Sequence, residues 1–143
     1  MTTQIHQGDI FKTTHGILVH SCDAESGAHS ALLETLRLRY PGAVRAYKEV
    51  LDSGKPALGQ VAYYQVPSPG DDQLIIASAI MQRGAIPDIG AAQSCLQSIA
   101  EKARATGLPV HFAALPNVPA PMLTGVLDAA LGQAVERHLW QPA

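Results

Sequence analysis

Two hydrophobic periods alternate along the chain. Short apolar runs predict β-strands at residues 3–6, 17–20, 60–66, 74–79 and 108–114. Apolar positions three or four residues apart predict helices at residues 28–39, 44–51, 88–104 and 123–137. The second run, Ile-Leu-Val-His, has no polar side chain before its last residue, which is typical of a strand buried on both faces. The tail after the last helix has room for only a very short final strand.

Turn-forming residues mark the limits of these helices. Pro41 ends the first helix, because a proline disfavours the helical conformation of the residue before it. Gly54 is expected to terminate the second helix. Asp88 is expected to cap the N-terminus of the third, and Gly107 to end it.

The order of the elements predicts the fold class. Strands that alternate with long helices indicate a three-layer α/β/α sandwich around a mixed central sheet of about five or six strands. We expect one domain over residues 1–143. Because such sheets bind ligands at the carboxyl ends of their strands, the loops after His20 and Ala114 are expected to lie at a binding site.

Composition excludes several functional classes. Hydrophobic residues make up 47% of the 143 residues and charged residues 15%, which indicates a folded protein. A net charge of −2, with no Lys/Arg-rich run, argues against nucleic acid as a partner. Neither a signal peptide nor a membrane span is recognisable, so we expect a cytoplasmic protein with reduced cysteines. The six histidines show no HxH or HxxxH spacing, so neither a metal nor another cofactor is predicted.

Several segments, in this order and at this spacing, resemble the macrodomain family, in particular its ADP-ribose 1″-phosphatase-like branch. They are Gly8-Asp9-Ile10-Phe11, the strand ending at His20, Arg39-Tyr40-Pro41, Leu58-Gly59-Gln60-Val61 and Ser78-Ala79-Ile80-Met81-Gln82. The resemblance extends from near the N-terminus to about Val110.

The resemblance implies an ADP-ribose ligand and a role for Asp9. Macrodomains bind ADP-ribose, and in that family the Asp of this motif receives the adenine amino group, with a backbone contact from the residue that is Ile10 here. A carboxylate suits this role because it accepts hydrogen bonds and does not donate them. The alternative is that Asp9 only caps the turn after the first strand.

The first phosphate-binding loop of the family departs from its pattern here. The family has Asn-x-x-Gly-x-x-Gly-x-Gly; in this chain Asp23 replaces the ribose-binding Asn, while Ser26, His29 and Ala31 replace the glycines. A Cβ at these positions obstructs the approach of a pyrophosphate to the backbone. A protonated His29 would supply a compensating cation. The ligand contacts implied in this loop are Asp23, Ser26, Gly27, Ala28, His29 and Ser30.

The second loop of the family is altered as well. Residues 115–121 contain three prolines and no glycine, where the family has a glycine-rich turn. The contacts implied here are Pro116, Asn117 and Val118. The catalytic Lys and acidic residue of one hydrolase branch correspond to Gln82 and Ala120, so that mechanism is not expected.

Other chemistry in the cleft has weaker support. Asp23, His29 and Cys22 are weak catalytic candidates, and Cys22 next to His20 is more typical of a buried structural thiol. Trp140 is considered as a stacking face for a base, with a core role as the alternative. Three functions stay open. The first is binding of ADP-ribose or a related nucleotide without turnover. The second is a pseudo-macrodomain scaffold with a closed cleft, for protein contacts or self-association. The third is hydrolysis of ADP-ribosyl-protein or ADP-ribose 1″-phosphate.

Overall fold

The computed structural model describes residues 2–25, 31–68, 70–84, 86–115 and 118–142. The strands are β1 Gln4–Gln7, β2 Gly16–Asp23, β3 Val61–Gln65, β4 Leu74–Arg83, β5 Ile86–Pro87, β6 Val110–Ala113 and β7 Arg137–Gln141. The helices are α1 Ala31–Arg39, α2 Pro41–Leu51, α3 Ile89–Thr106 and α4 Ala120–Leu131, with a 3₁₀ turn at Ile10–Lys12.

The sheet formed by these described residues is mixed and has seven strands. Its order is β1-β7-β6-β2-β4-β3, with the short β5 paired to β4. The neighbours from β1 to β4 are parallel, and β3 and β5 run antiparallel to β4. The carboxyl ends of five strands therefore meet at one edge.

Both faces of this sheet carry a hydrophobic core. Alternate residues such as Ile17, Val19 and Val110 pack on one face with side chains of α3 and α4. On the other face, Leu18 and Ile76 pack with side chains of α1 and α2. The predicted three-layer α/β/α sandwich is confirmed, and the sheet is slightly larger than the five or six strands expected.

The predicted limits of α3 are accurate. The Asp88 carboxylate accepts a hydrogen bond of 2.8 Å from the backbone N–H of Ala91, as an N-cap does. Gly107 has a φ of 72°, a left-handed conformation that glycine adopts at little cost.

The predicted end of α4 is wrong. We expected a helix to residue 137, but α4 ends at Leu131, and Arg137 begins the inner strand β7. Arg137 is buried, and its guanidinium donates to the carbonyl oxygens of Leu127, Asp128 and Gly132 at the end of α4. A buried cation thus satisfies the last carbonyl groups of the helix and favours its termination there.

The start of α4 also differs from the prediction. The helix begins at Ala120, so Pro121 lies in its first turn, where the missing N–H is not needed. Two of the three loop prolines, Pro116 and Pro119, precede the helix; Pro116 lies outside the described residues.

Candidate functional site

A cavity of about 650 Å³ lies at the carboxyl edge of the sheet, where ligands bind in open α/β folds. Its walls come from the turn after β1, the ends of β2, β4, β6 and β7, and α1. The lining residues are Gly8, Asp9, Ile10, Phe11, Ser21, Leu32, Thr35, Gln82, Ala113, Ala114, Leu115, Trp140 and Pro142.

Asp9 stands on the wall formed by the turn after β1. One of its carboxylate oxygens, Oδ1, accepts a hydrogen bond of 2.9 Å from the backbone N–H of Phe11. The capping role is therefore confirmed. A carboxylate offers about four acceptor sites, and this bond uses one of them. The side chain is exposed, whereas the neighbouring Ile10 and Phe11 are buried and form an apolar surface beside it.

Ser21 and Gln82 form a polar part of the wall. The Ser21 hydroxyl donates to Gln82 Oε1 at 2.7 Å, and Gln82 Nε2 donates to the carbonyl of Gly84 at 2.8 Å. These two bonds fix the orientation of the amide. Sequence reasoning missed Ser21, although its place one residue after the predicted strand end was a usable signal.

Asp23 has structural partners. Its side chain is buried, and Oδ1 accepts hydrogen bonds from the backbone N–H groups of Glu25, at 2.9 Å, and Gly84, at 2.7 Å. The Tyr47 hydroxyl donates to its backbone carbonyl. This carboxylate thus ties the end of β2 to the turn after β4, and it is not among the lining residues. A ligand contact from Asp23 stays a prediction.

Cys22 lies beside a base, which the sequence did not indicate. Its Sγ is 3.4 Å from His20 Nδ1, and His20 Nε2 is 2.7 Å from the Ser78 hydroxyl. All three side chains are buried. Burial raises the pKa of the Cys22 thiol to about 12 and lowers the pKa of His20 to about 4. At neutral pH both groups are uncharged, so the arrangement is a hydrogen-bonded core cluster without a thiolate.

The remaining predicted contacts fall into two groups. Val118 is half-buried and packs against the core beneath α3 and α4. Ser26, Gly27, Ala28, His29, Ser30, Pro116 and Asn117 lie outside the described residues.

Trp140 forms the wall next to Asp9. Its Nε1–H donates to His111 Nδ1 at 3.0 Å, and its ring stacks on His6, with ring centroids 4.5 Å apart. It also packs against the core under α1 and α2. Trp140 therefore borders both the core and the cavity, and its stacking on a base stays a prediction.

The part of the chain that the structure describes has neither a candidate metal site nor a candidate membrane span. No group of three or more His, Cys, Asp or Glu side chains there could hold a metal ion. None of the helices in that part combines the length and the apolar character that a membrane crossing requires.

No protein-family model matches the chain, and no curated protein matches it. Solved structures do. The macrodomain of Thermus aquaticus DarG has a TM-score of 0.79 at 12% identity, covering 98% of each chain. A macrodomain protein from Streptomyces coelicolor has a TM-score of 0.76 at 19% identity, covering 96% of this chain and 99% of that one. Thermosipho africanus DarTG in complex with ADP-ribose has a TM-score of 0.74 at 13% identity, covering 99% of this chain and 42% of that one.

Proposed function

Because the chain has the macrodomain fold, we propose that it binds ADP-ribose or a closely related adenine nucleotide in this cavity, without turnover. The observation that carries the proposal is the cavity itself. It lies at the carboxyl edge of the sheet, and Asp9 and Trp140 stand on its walls. Its volume is within the range of roughly 300–1,000 Å³ that small-molecule sites occupy. A structural neighbour of the same fold was solved with ADP-ribose bound.

The adenine would lie against the Asp9 end. The base needs an apolar surface for its faces and an acceptor for its amino group. Ile10, Phe11 and Trp140 supply the apolar surface, and the exposed carboxylate of Asp9 supplies the acceptor. Guanine presents a carbonyl oxygen where adenine has its amino group, so the Asp9 carboxylate would repel it.

The ribose and phosphates would extend towards Ser21 and Gln82. The Ser21–Gln82 pair offers polar groups of fixed orientation at that end. The phosphate contacts proposed for residues 26–30 and 116–118, and a ribose contact from Asp23, would complete the site.

Three features support binding without turnover. The amide of Gln82 can act neither as a base nor as a nucleophile. Cys22 is a buried thiol with a raised pKa, and the carboxylate of Asp23 accepts two backbone N–H bonds away from the lining residues. The hydrolase alternative is tested by incubation with ADP-ribosylated protein and ADP-ribose 1″-phosphate; release of ADP-ribose or phosphate would establish it.

Calorimetry with three proteins tests the binding proposal. For the unmodified protein we expect a micromolar dissociation constant for ADP-ribose, and at least about tenfold weaker binding of GDP than of ADP. Asp9→Ala should weaken ADP-ribose binding. Asp9→Asn is the matched variant and should also weaken ADP-ribose binding. Its oxygen can still cap the turn, while its NH₂ group would face the adenine amino group, so this variant separates loss of the acceptor from loss of the cap. Binding that is absent, or equally strong for GDP and ADP, would refute the proposal.

Exposed apolar side chains favour a second candidate, a scaffold for protein contacts or self-association. Ile86 and Ile89 are 73% and 77% exposed and flank the start of α3, and Leu38 of α1 is 85% exposed. Analytical ultracentrifugation of the unmodified protein and of Ile86→Ser/Ile89→Ser would test the self-association form. A monomer in both cases would remove it.

A further inference from the structure

The side chains of His6, His111, His138 and Trp140 form a cluster of four aromatic rings on the face of the sheet beside the cavity. His6 pairs with Trp140 across β1 and β7, and His111 pairs with His138 across β6 and β7. The ring centroids of His6 and His138 are 4.9 Å apart, and those of His111 and His138 are 4.6 Å apart. This cluster could not be recognised from the sequence, because its members come from three strands that are far apart along the chain.

His111 is the fixed member of the cluster. The indole N–H of Trp140 can only donate, so His111 Nδ1 must accept and its proton lies on Nε2. Burial, followed by the nearby His138 and His6, lowers the pKa of His111 to about 4. This imidazole stays neutral near pH 7 and anchors one edge of Trp140.

His6 and His138 share a proton. His6 Nε2 is 2.8 Å from His138 Nδ1, a distance that requires a proton between the two nitrogens. His138 Nε2 is 3.0 Å from Glu136 Oε2, so it donates to that carboxylate. In the neutral pair, His6 Nε2–H therefore donates to His138 Nδ1.

A first added proton leaves this bond intact. Whichever ring receives it, one nitrogen of the pair still donates and the other still accepts, and the bond becomes charge-assisted. A proton on His6 also places a cation against the face of Trp140. A second proton removes the last acceptor between the rings and puts two cations side by side, so the bond breaks and the rings repel.

Charged and titratable groups surround the pair. Glu136 Oε2, before β7, lies 3.0 Å from His138 Nε2, and Asp9, in the turn after β1, is another residue of the cavity wall. The ring of His111, on β6, stacks on the ring of His138. Earlier in the chain, His15 Nδ1 lies 3.9 Å from Asp72 Oδ1. Two cationic rings with centroids 4.9 Å apart, with a third imidazole stacked on His138, would repel each other.

We propose that His6 and His138 are a proton-dependent positioning pair that holds Trp140 in the cavity wall while they share at most one added proton, and releases it when both are charged. Loss of the stack should let the indole tilt about its remaining hydrogen bond to His111 and expose its ring face. The consequence for ligand affinity rests on the proposed function, whereas the movement of Trp140 does not.

Fluorescence tests the movement directly, because Trp140 is the only tryptophan in the sequence. The ligand-free protein is titrated from pH 8 to pH 4.5, with emission intensity and acrylamide quenching measured at each step and far-UV circular dichroism confirming the fold. We expect two transitions. The first changes the emission without changing acrylamide access, and the second increases acrylamide access.

Three variants assign the transitions. In His138→Asn, the Asn oxygen replaces Nδ1 as the acceptor for His6, so the second transition should vanish while the first remains. In His6→Gln, the amide can still donate to His138, and only one imidazole of the pair remains, so the second transition should vanish here as well. His15→Asn is the control and should keep both transitions. Acrylamide access that stays flat in the unmodified protein, or a second transition that persists in His138→Asn, would overturn the proposal.

A ligand titration separates this proposal from the proposed function. The ADP-ribose dissociation constant should rise about two- to tenfold across the second transition, the range that one aromatic contact contributes. In His138→Asn this rise should be absent. ADP-ribose could fail to bind at every pH while both transitions still occur and respond to the variants as expected. That result would refute the proposed function and leave the positioning pair supported. A dissociation constant that does not change with pH, despite binding, would refute the coupling to the cavity.

Discussion

At the residue scale, different substitutions can separate the capping role of Asp9 from its proposed role in ligand binding. Its Oδ1 caps the 3₁₀ turn, and its carboxylate faces the cavity. Asp9→Ala should lower the free energy of unfolding by about 0.5–1 kcal/mol, the usual effect of losing a cap. Asp9→Asn should keep the stability within a few tenths of a kcal/mol of the original, as measured by urea denaturation. A loss of stability in Asp9→Asn equal to that in Asp9→Ala would contradict the capping account.

His20 should make the stability depend on pH. Its pKa is about 4 when folded, because of burial, and 6.5 in the unfolded chain. Above pH 6.5 both states are neutral and the full stability is present. As the pH falls from 6.5 towards 4, the unfolded chain binds the proton more readily, and the free energy of unfolding should drop by about 3 kcal/mol. The lowered pKa of His111 acts in the same direction and window.

Urea denaturation at several pH values between 8 and 4.5 measures this effect. His20→Gln removes the titrating group, so its free energy of unfolding should change less with pH than that of the unmodified protein, even if the variant is less stable throughout. Identical pH dependence in the two proteins would show that His20 is not the source.

The sequence predicted part of the cavity wall at this scale. Asp9 and Ile10 lie in the cavity wall because a local motif placed them directly after a strand. His20 and Cys22 share one face of β2 at i, i+2 spacing, whereas the contacts of Ser78 with His20 and of Gly84 with Asp23 were not predictable, since they form through strand pairing and burial. Neither effect has a signature in the local spacing.

At the element scale, two helical glycines should respond in opposite directions to alanine. A Cβ on Gly42, in α2, would overlap the Tyr64 ring of β3, whereas a Cβ on Gly125, in α4, would meet no atom within 4 Å. Gly42→Ala should destabilise the protein by about 1 kcal/mol, because the overpacking exceeds the gain in helix propensity. Gly125→Ala should stabilise it by roughly 0.5–1 kcal/mol. Thermal unfolding of both variants is the measurement, and changes of the same sign would contradict this packing.

Most elements were predictable because their hydrophobic periods are strong, and α3 was also marked by its cap and its terminal glycine. The boundary between α4 and β7 was missed. Gly132, the C-cap of α4 with a φ of 74°, was a usable local signal, and the buried guanidinium of Arg137 then satisfies carbonyl oxygens at the end of the helix. That contact depends on the tertiary structure, so local pattern could not show it.

At the scale of the whole molecule, the order of the strands decides where the site lies. The alternation of strands and helices was sufficient to predict the sandwich and its ligand edge. It did not show that β1 and β7, from opposite ends of the chain, are parallel neighbours. That pairing brings Trp140 next to His6 and places both beside the cavity, which is why the sequence could weigh Trp140 only as an isolated aromatic residue.

A crystal structure of the protein with ADP-ribose tests the central claim most directly. The account predicts the adenine between Phe11 and Trp140, with its amino group within hydrogen-bonding distance of an Asp9 carboxylate oxygen, and the ribose near Ser21 and Gln82. An empty cavity in crystals grown with millimolar ADP-ribose, or an adenine bound away from Asp9, would contradict it.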